Sequence, residues 1–312
     1  MAQSHGSRHQ AEVTEAPGLP SPRGSHAGAM LEGQVIVVAS GSAWSEDRTE
    51  KKWLTDTLLF QAGEWKAGPP LPHPAVEAAY ATDGKRLYIV GGFVSADAPS
   101  SDVFALSLDN EHRLQIESLP AFPAKHVGGA AAVFDGRLYV AGGYADGQVT
   151  DRVWMLDLRK TDSKWLEQSR IPAEPRAYSA LVAAGGKLYL LGGMTVDGDI
   201  MRVFKDVFLY DPGANIWKRY GELPTAGYCW AATPIDGDER TLLVGGRADG
   251  AIHDDLWLVN LSDLSVRGVG RSAITTTCAP LVRINPKTFW LIGGEPDANK
   301  TRTQRVTQIR LP

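Results

Sequence analysis

The 312-residue chain has the composition of an ordinary folded protein, with 43% hydrophobic residues, 22% charged residues and a formal net charge of −4. The sequence contains no block of Lys and Arg residues, so we expect no nucleic-acid partner. No apolar stretch approaches the roughly 18 residues that span a bilayer, so we expect no membrane partner. The two cysteines, Cys229 and Cys278, are too few for a disulfide framework or a structural zinc site.

The start of the chain, residues 1–10, is rich in Ser, Gly, His and Gln and has no apolar periodicity. This composition predicts a disordered arm. The segment lacks the apolar core of a secretory signal, which favours the cytoplasm. A periplasmic location stays open if the natural N-terminus lies upstream of this sequence.

An apolar run that ends in a glycine pair recurs at intervals of about fifty residues. The runs are LYIVGG, LYVAGG, LYLLGG, TLLVGG and FWLIGG, and they end at Gly92, Gly143, Gly193, Gly246 and Gly294. One interval earlier, VIVVASG ends at Gly41 and has Ser40 in place of the first glycine. The chain therefore contains six copies of one unit.

Each copy contains segments for four short strands in the same order. A stretch of small residues comes first, the apolar run follows, and two further strands come after a polar loop of variable length. Four such strands cannot bury both faces of a sheet alone, so the six sheets must cover one another. The pattern predicts an all-β protein, a six-bladed β-propeller that occupies residues 11–312 as a single domain.

The two ends of the sequence predict how the ring of blades closes. The sixth copy ends after its third strand, TQRVTQIRL, whereas AEVTEAPGLPSPR at residues 11–23 resembles the fourth strands of other copies. We expect this N-terminal strand to complete the last blade, which removes the exposed sheet edge of an open array.

The glycine pairs and the tryptophans that follow them resemble the kelch repeat. Trp65, Trp165 and Trp217 lie 22 to 24 residues after such a pair, and we expect them to pack between blades. Several loops, among them MRVFKDVFLYDPGANIW and KTFWLIGGEPDANKTRT, are similar to those of the N-acetylneuraminate epimerases, the six-bladed kelch mutarotases of sialic acid. The copies stand in rotated order, so the chain resembles a cyclically permuted branch of that family.

The resemblance implies an enzyme, an isomerase that interconverts the anomers of N-acetylneuraminate or a related sugar. In that family, the motif Gly-Glu followed by Arg-Thr carries the acid and the arginine assigned to catalysis. Glu295 and Arg302 match these positions, and we expect them to be the catalytic residues. The implied ligand is a small sialic acid-like sugar, and we expect neither a cofactor nor a metal. The oligomeric state stays open.

Further contacts to the sugar are expected from residues beside the glycine pairs and at the starts of the first strands. The candidates for substrate binding are Trp44, His126, Tyr144, Arg176, Tyr178, Tyr228 and Arg247. An arginine can hold a carboxylate through two parallel hydrogen bonds. The alternatives are a structural salt bridge for each arginine, a packed wall position for His126, and a capping role at the rim for Glu295.

Cys229 and Cys278 open adjacent copies at nearly equivalent positions. We therefore expect the two side chains to approach each other near the channel. A reduced, packed pair is the expected state in the cytoplasm.

A second hypothesis is a non-catalytic kelch propeller that binds a protein or glycan partner on its loop face. Kelch propellers host unrelated functions, so the fold alone does not decide between an enzyme and a binding module.

Overall fold

The computed structural model describes residues 10–235, 239–248 and 250–312. The predicted N-terminal arm, residues 1–10, lies outside the described residues except for Gln10. Within the described ranges the chain forms strands, turns and loops but no helix, and so no helix that could cross a membrane.

Short strands follow one another along the described chain. The first part of the chain forms β1 (Glu12–Ala16), β2 (Ala27–Leu31), β3 (Val35–Ala39), β4 (Ser42–Trp44), β5 (Lys51–Trp53), β6 (Thr57–Gln61), β7 (Glu64–Ala67), β8 (Ala79–Thr82), β9 (Arg86–Val90), β10 (Phe93–Ser95), β11 (Ala98–Pro99), β12 (Val103–Leu108) and β13 (Leu114–Leu119). The middle part forms β14 (His126–Val127), β15 (Ala130–Phe134), β16 (Arg137–Ala141), β17 (Tyr144–Ala145), β18 (Gln148–Val149), β19 (Val153–Asp157), β20 (Leu166–Glu167), β21 (Ala180–Ala184), β22 (Lys187–Leu191), β23 (Met194–Asp197), β24 (Ile200–Val203), β25 (Asp206–Asp211) and β26 (Ile216–Glu222). The last part forms β27 (Ala231–Pro234), β28 (Arg240–Val244), β29 (Arg247–Ala248), β30 (Ala251–Ile252), β31 (Asp255–Asn260), β32 (Val266–Arg271), β33 (Leu281–Asn285), β34 (Thr288–Ile292) and β35 (Val306–Arg310).

The described strands build six four-stranded antiparallel sheets. Sheets I to V are β2-β3-β6-β7, β8-β9-β12-β13, β15-β16-β19-β20, β21-β22-β25-β26 and β27-β28-β31-β32. Sheet VI consists of β33, β34, β35 and β1. Strand β1 lies antiparallel to β35, with Glu12 opposite Arg310 and Ala16 opposite Val306. The two ends of the described chain therefore share one sheet.

Apolar clusters fill the spaces between neighbouring sheets. One cluster lies between each pair of sheets that follow each other along the chain, and a sixth joins sheet VI to sheet I. This sixth cluster contains Ile36 and Val38 of β3 and Trp290 and Ile292 of β34. The first strands also touch in sequence, from β2 through β8, β15, β21, β27 and β33 back to β2. This all-β arrangement is consistent with a β-propeller.

The glycine pairs let neighbouring sheets approach closely. Gly91 has a φ of 67°, and a Cβ atom there would lie 2.2 Å from the carbonyl oxygen of His126 in the next repeat. Gly92 donates its N–H to the same carbonyl at 2.8 Å. Ser40, which replaces the first glycine in the first copy, adopts a φ of 61° and accepts a hydrogen bond from the Ala75 N–H at 2.7 Å. The backbone path thus requires the left-handed region at these positions.

A ring of six left-handed residues surrounds the centre of the six sheets. The members, which we call the αL ring, are Ser25, Glu77, Gly128, Tyr178, Cys229 and Cys278, and their φ values lie between 52° and 64°. Five of them donate the backbone N–H to the carbonyl oxygen of the preceding member, at 2.7 to 3.1 Å, and Ser25 follows Cys278 in this order. Between Cys229 and Cys278, the Thr277 hydroxyl donates to the Cys229 carbonyl instead, at 3.1 Å.

The repeated tryptophans hold consecutive sheets together. The indole N–H groups of Trp65, Trp165 and Trp217 donate to backbone carbonyls of Pro17, Pro120 and Ser169, at 2.8 to 3.0 Å. Each acceptor lies 45 to 48 residues earlier in the chain, about one repeat away. The three tryptophans therefore have the packing role that the sequence predicts.

Candidate functional site

The candidate site lies at the end of the sheets that carries the glycine pairs, which we call the mouth. There, the residue after each pair forms a β-bridge with a residue directly before or close to the αL ring. Glu295 follows Gly293 and Gly294 and exchanges two backbone hydrogen bonds with Thr277, at 2.8 and 3.0 Å. The carboxyl group is thus fixed one residue away from the αL ring.

The Glu295 carboxylate lies between two guanidinium groups. Its Oε1 is 3.0 Å from Arg302 Nη1, and its Oε2 is 3.8 Å from Arg247 Nη2. Only 6% of the Glu295 side chain is exposed, and only 3% of the Arg302 side chain. Both cations stabilise the negative charge of the carboxylate, and the low exposure strengthens this effect.

The two arginines differ in how much of their hydrogen-bonding capacity is used. Arg302 donates from Nε and Nη2 to Ser42 at 3.1 to 3.3 Å, and from Nη1 to the backbone of its own loop. Arg247 is 21% exposed, and its Nε and Nη2 have no hydrogen-bond partner among the described residues. A buried, unsatisfied donor is costly. Arg247 is therefore the better placed of the two to accept an anionic ligand.

The predicted tyrosines form a row beside this ion-pair cluster. The ring centroids of Tyr144 and Tyr178 are 6.2 Å apart, and those of Tyr178 and Tyr228 are 6.5 Å apart. Tyr228 joins the row to the cluster, because its backbone pairs with that of Arg247. Burial, followed by the nearby carboxylate of Glu77, raises the pKa of Tyr178 well above its ordinary value. Tyr178 is therefore a protonated hydrogen-bond donor at neutral pH.

The hairpin β4–β5 brings an aromatic ring and a cation to the mouth. Trp44 donates its indole N–H to the carbonyl oxygen of Lys300 at 2.8 Å, which ties the hairpin to the loop before Arg302. Lys51 lies over the ring of Trp53, with Nζ 4.3 Å from the centroid. Burial lowers the pKa of Lys51, whereas the carboxylates of Glu77 and Glu295 oppose this shift.

Arg176 and His126, by contrast, do not lie at the mouth as free groups. Arg176 is 1% exposed, donates to both carboxylate oxygens of Asp206 at 2.6 and 3.3 Å, and stacks on Phe204. His126 is fully buried and donates from Nε2 to the Gly142 carbonyl at 2.9 Å. This geometry is that of the structural alternatives, a salt bridge for Arg176 and a packed wall position for His126, and it leaves neither side chain exposed to a ligand.

The two cysteines meet in the αL ring. Both are free thiols, and the pKa of Cys229 is raised well above its ordinary value, first by the hydrogen bond with Cys278 and then by burial. The predicted proximity is therefore observed. Among the described residues, no group of three His, Cys, Asp or Glu side chains is placed to hold a metal ion.

Glu77 and Lys51 are the functional candidates that the sequence interpretation missed. Glu77 occupies the same repeat position as Tyr178 and accepts a hydrogen bond from its hydroxyl at 2.6 Å. The 101 residues between them correspond to two repeats. An alignment of the repeats would therefore have placed Glu77 at the position of Tyr178, which was already a candidate.

Two cavities lie along the centre of the molecule. A cavity of about 110 Å³ is lined by all six residues of the αL ring. A larger cavity of about 510 Å³ lies at the other end of the first strands, beside turn residues such as Gly33 and Asp83. Small side chains of the first strands form much of its wall. The cluster around Glu295 lies at the opposite end, and its acid–base groups make the mouth the stronger candidate for chemistry.

Comparison with known proteins agrees with the repeat pattern. The chain belongs to the kelch-repeat family, because residues 53–230, more than half of its length, match the KLHDC2/KLHL20/DRC7 Kelch-repeats domain. It is similar to the N-acetylneuraminate epimerase of Yersinia enterocolitica serotype O:8 / biotype 1B, with 35% identity over 156 residues, which cover 49% of this chain and 37% of that protein. The N-acetylneuraminate epimerase of Yersinia pestis (strain Pestoides F) is 28% identical over 163 residues, which cover 51% of this chain and 40% of that protein.

The matched region therefore spans less than half the length of these epimerases. A further relative is the dynein alpha chain of the flagellar outer arm of Chlamydomonas reinhardtii. It is 26% identical over 262 residues, which cover 76% of this chain and 6% of the dynein. Kelch repeats thus occur among its relatives both in epimerases and in a motor-protein subunit.

Proposed function

We propose that this protein is a carbohydrate epimerase that interconverts the anomers of N-acetylneuraminate or a closely related sugar acid. The observation that carries the proposal is the Glu295 carboxylate, nearly buried and held between Arg302 and Arg247. The similarity to N-acetylneuraminate epimerases supports the choice of sugar.

The chemistry of mutarotation fits an acid–base group in this setting. The pyranose ring opens and closes again on the other face of the anomeric carbon. The anomeric hydroxyl loses a proton, the ring oxygen gains one, and both transfers reverse on closure. A positioned acid–base group contributes on the order of 10² to 10⁴-fold to such steps. In this proposal, Glu295 accepts the proton of the anomeric hydroxyl and returns it on closure.

The two arginines take different roles in this proposal. Arg302 is a positioning residue, because its donors already bind Glu295, Ser42 and its own loop. Arg247 binds the carboxylate of the sugar through its Nε and Nη2, which have no hydrogen-bond partner among the described residues and can form two parallel hydrogen bonds. This division gives the anion-binding role to Arg247, one of the predicted substrate-binding residues, and makes Arg302, predicted to be catalytic, a positioning residue.

We further propose that residues 11–312 form one domain, a closed propeller of six blades. The six sheets would be the blades, and β1 would complete the last of them. The apolar cluster between sheets VI and I supports closure, as does the hydrogen bond from the Ser25 N–H to the Cys278 carbonyl at 2.8 Å.

The alternative is a non-catalytic binding module. Its support is the dynein relative, which matches more of this chain than the epimerases do. One experiment separates the two functions. Sialidase releases N-acetylneuraminate as a single anomer, and proton NMR follows its approach to the equilibrium mixture. The enzyme proposal predicts faster equilibration with the protein than without it, whereas the binding module predicts no change in rate.

A further inference from the structure

A second carboxylate, that of Glu77, faces the cavity of the αL ring and was not part of the site inferred from sequence. Its backbone is fixed on both sides, because its N–H donates to the Ser25 carbonyl at 3.1 Å and its carbonyl accepts from Gly128 at 2.8 Å. Glu77 lines the small central cavity. The hydrogen bonds of the αL ring thus fix the backbone of Glu77 at the wall of this cavity.

The side chain of Glu77 is held at one oxygen only. Tyr178 donates its hydroxyl to Oε2 at 2.6 Å, and the structure gives Oε1 no hydrogen-bond or ion-pair partner among the described residues. Tyr178 in turn lies between the rings of Tyr144 and Tyr228, which limits its movement. One oxygen of Glu77 is therefore anchored, and the other is available to a ligand.

Glu77 and Glu295 belong to one electrostatic neighbourhood. Lys51 and Cys229 each interact with both carboxyl groups. The titratable groups that face Glu77 from the surrounding elements are Tyr178, Tyr144, Lys51, Cys229 and Cys278, and His26 and Tyr80 line the same cavity. Glu77 has only Lys51 as a cation in this set, whereas Glu295 lies between two arginines. Glu77 thus faces less positive charge than Glu295.

We propose that Glu77 is the second proton-transferring group of the site, with Tyr178 as its positioning residue. This inference rests on the proposed epimerase function and completes its proton balance. During ring opening, Glu295 takes the proton of the anomeric hydroxyl, while protonated Glu77 gives its proton to the ring oxygen as the bond between that oxygen and the anomeric carbon breaks. During closure, the new hydroxyl returns its proton to Glu77, and Glu295 returns its proton to the carbonyl oxygen. The two carboxyl groups regain their starting states.

The test is the rate of anomer exchange of N-acetylneuraminate, measured by NMR across the pH range with wild type, Glu77→Gln and Glu295→Gln. Glu77→Gln keeps the size of the side chain and its acceptor for Tyr178. It should lower the rate by at least about 10-fold, leave sugar affinity in calorimetry nearly unchanged, and change the pH profile of the rate. The control is Glu117→Gln, since Glu117 pairs with Arg86 at an exposed position and should leave rate and profile unchanged.

The outcomes distinguish this inference from the function on which it rests. If wild type and Glu117→Gln are active and Glu295→Gln is slow, but Glu77→Gln matches wild type in rate and pH profile, the role of Glu77 is refuted and the epimerase stands. If wild type itself gives no acceleration, the proposed function fails and this inference fails with it. Should thermal melting show that Glu77→Gln does not fold, Tyr178→Phe decides. It removes only the hydroxyl, and it should lower the rate and move the pH profile; an unmoved profile would refute the proposal.

Discussion

In the proposed site, the Nε and Nη2 donors of Arg247 would distinguish a sugar acid from a neutral sugar. Its Nε and Nη2 lack hydrogen-bond partners among the described residues, so a bound carboxylate would satisfy them. We predict that Arg247→Gln weakens binding of N-acetylneuraminate by roughly 10 to 100-fold, the equivalent of about 1.5–3 kcal/mol for hydrogen bonds to a charged group. Isothermal titration calorimetry measures this change.

A neutral ligand and a distant arginine provide the controls for that prediction. Any affinity for a sugar that lacks the carboxylate should change little in Arg247→Gln. Arg271→Gln removes a guanidinium that is 72% exposed and should bind like wild type. Equal weakening by both variants, or none by Arg247→Gln, would contradict an anion site at Arg247.

His126 makes the stability of the fold depend on pH. Burial lowers its pKa from 6.5 to about 4, although the hydrogen bond to the Gly142 carbonyl opposes the shift. Between these values the unfolded chain binds a proton that the folded chain does not bind. The stabilisation by neutral His126 is therefore present above about pH 6.5 and is lost as the pH falls toward 4.

Glutamine cannot titrate. We therefore predict that, between pH 7 and pH 4, the free energy of unfolding of His126→Gln falls by on the order of 3 kcal/mol less than that of wild type, at 1.36 kcal/mol per pKa unit. Denaturant unfolding of wild type and variant at pH 7 and pH 4 gives the difference. Parallel losses of stability in the two proteins would contradict the assignment. His26 has a pKa that burial also lowers, and its contribution cancels because it is present in both.

At the scale of single residues, the sequence located positions better than partners. The glycine pair placed Glu295 at the mouth, and the family resemblance paired it with Arg302. The partner of Arg176 was not identified, because Asp206 lies 30 residues away across its sheet. The pattern of apolar and polar residues along a strand does not reveal which charged side chains form an ion pair. The same kind of ion pair occurs at Arg23, which binds Asp56 at 2.7 Å. A comparison of the repeats would therefore have indicated that Arg176 pairs with Asp206.

At the scale of strands, the apolar runs were the reliable signal. The five runs that end in glycine pairs correspond to β9, β16, β22, β28 and β34. The hairpins that follow the glycine pairs, such as β4–β5 and β23–β24, were expected only as polar loops. Their short segments carry no strand periodicity long enough to recognise. Lys51, which lies on β5, was missed for this reason.

Strand β1 offers a test of the shared sheet at the chain ends. Val13 of β1 lies opposite Ile309 and packs against the apolar cluster between sheets V and VI, whereas Thr14 is exposed and its hydroxyl accepts a hydrogen bond from Gln308 Nε2 at 3.2 Å. We predict that Val13→Asp lowers the free energy of unfolding by on the order of 2 kcal/mol, because it puts a charge against apolar side chains. Thr14→Asp, the matched control, should change it by less than about 0.5 kcal/mol.

Thermal or urea unfolding measures both variants. Equal tolerance of the two substitutions would show that β1 does not contribute to the core, and it would also remove the support for β1 as the strand that closes the ring.

At the scale of the whole molecule, the repeat count carried most of the information. Six copies correspond to the six sheets, and the missing strand of the last copy is supplied by residues 12–16. The αL ring as a whole was not foreseen, since no single residue type occurs at all six positions; only the proximity of Cys229 and Cys278 was expected. The six members share only a backbone conformation, with φ values between 52° and 64°. A site whose parts are related by repeat position rather than by residue type is difficult to recognise in one sequence.

The central claim is that Glu295 transfers a proton to and from a sugar bound at the mouth. Its most direct test is the rate of N-acetylneuraminate anomer exchange with wild type and with Glu295→Gln, measured by proton NMR at neutral pH. Glu295→Gln preserves the size of the side chain and an acceptor oxygen but cannot accept the proton. The account predicts that wild type accelerates exchange and that the variant loses roughly 10²-fold or more of the catalysed rate, with far less change in affinity. A wild-type protein that binds the sugar without accelerating exchange, or a variant as active as wild type, would contradict it.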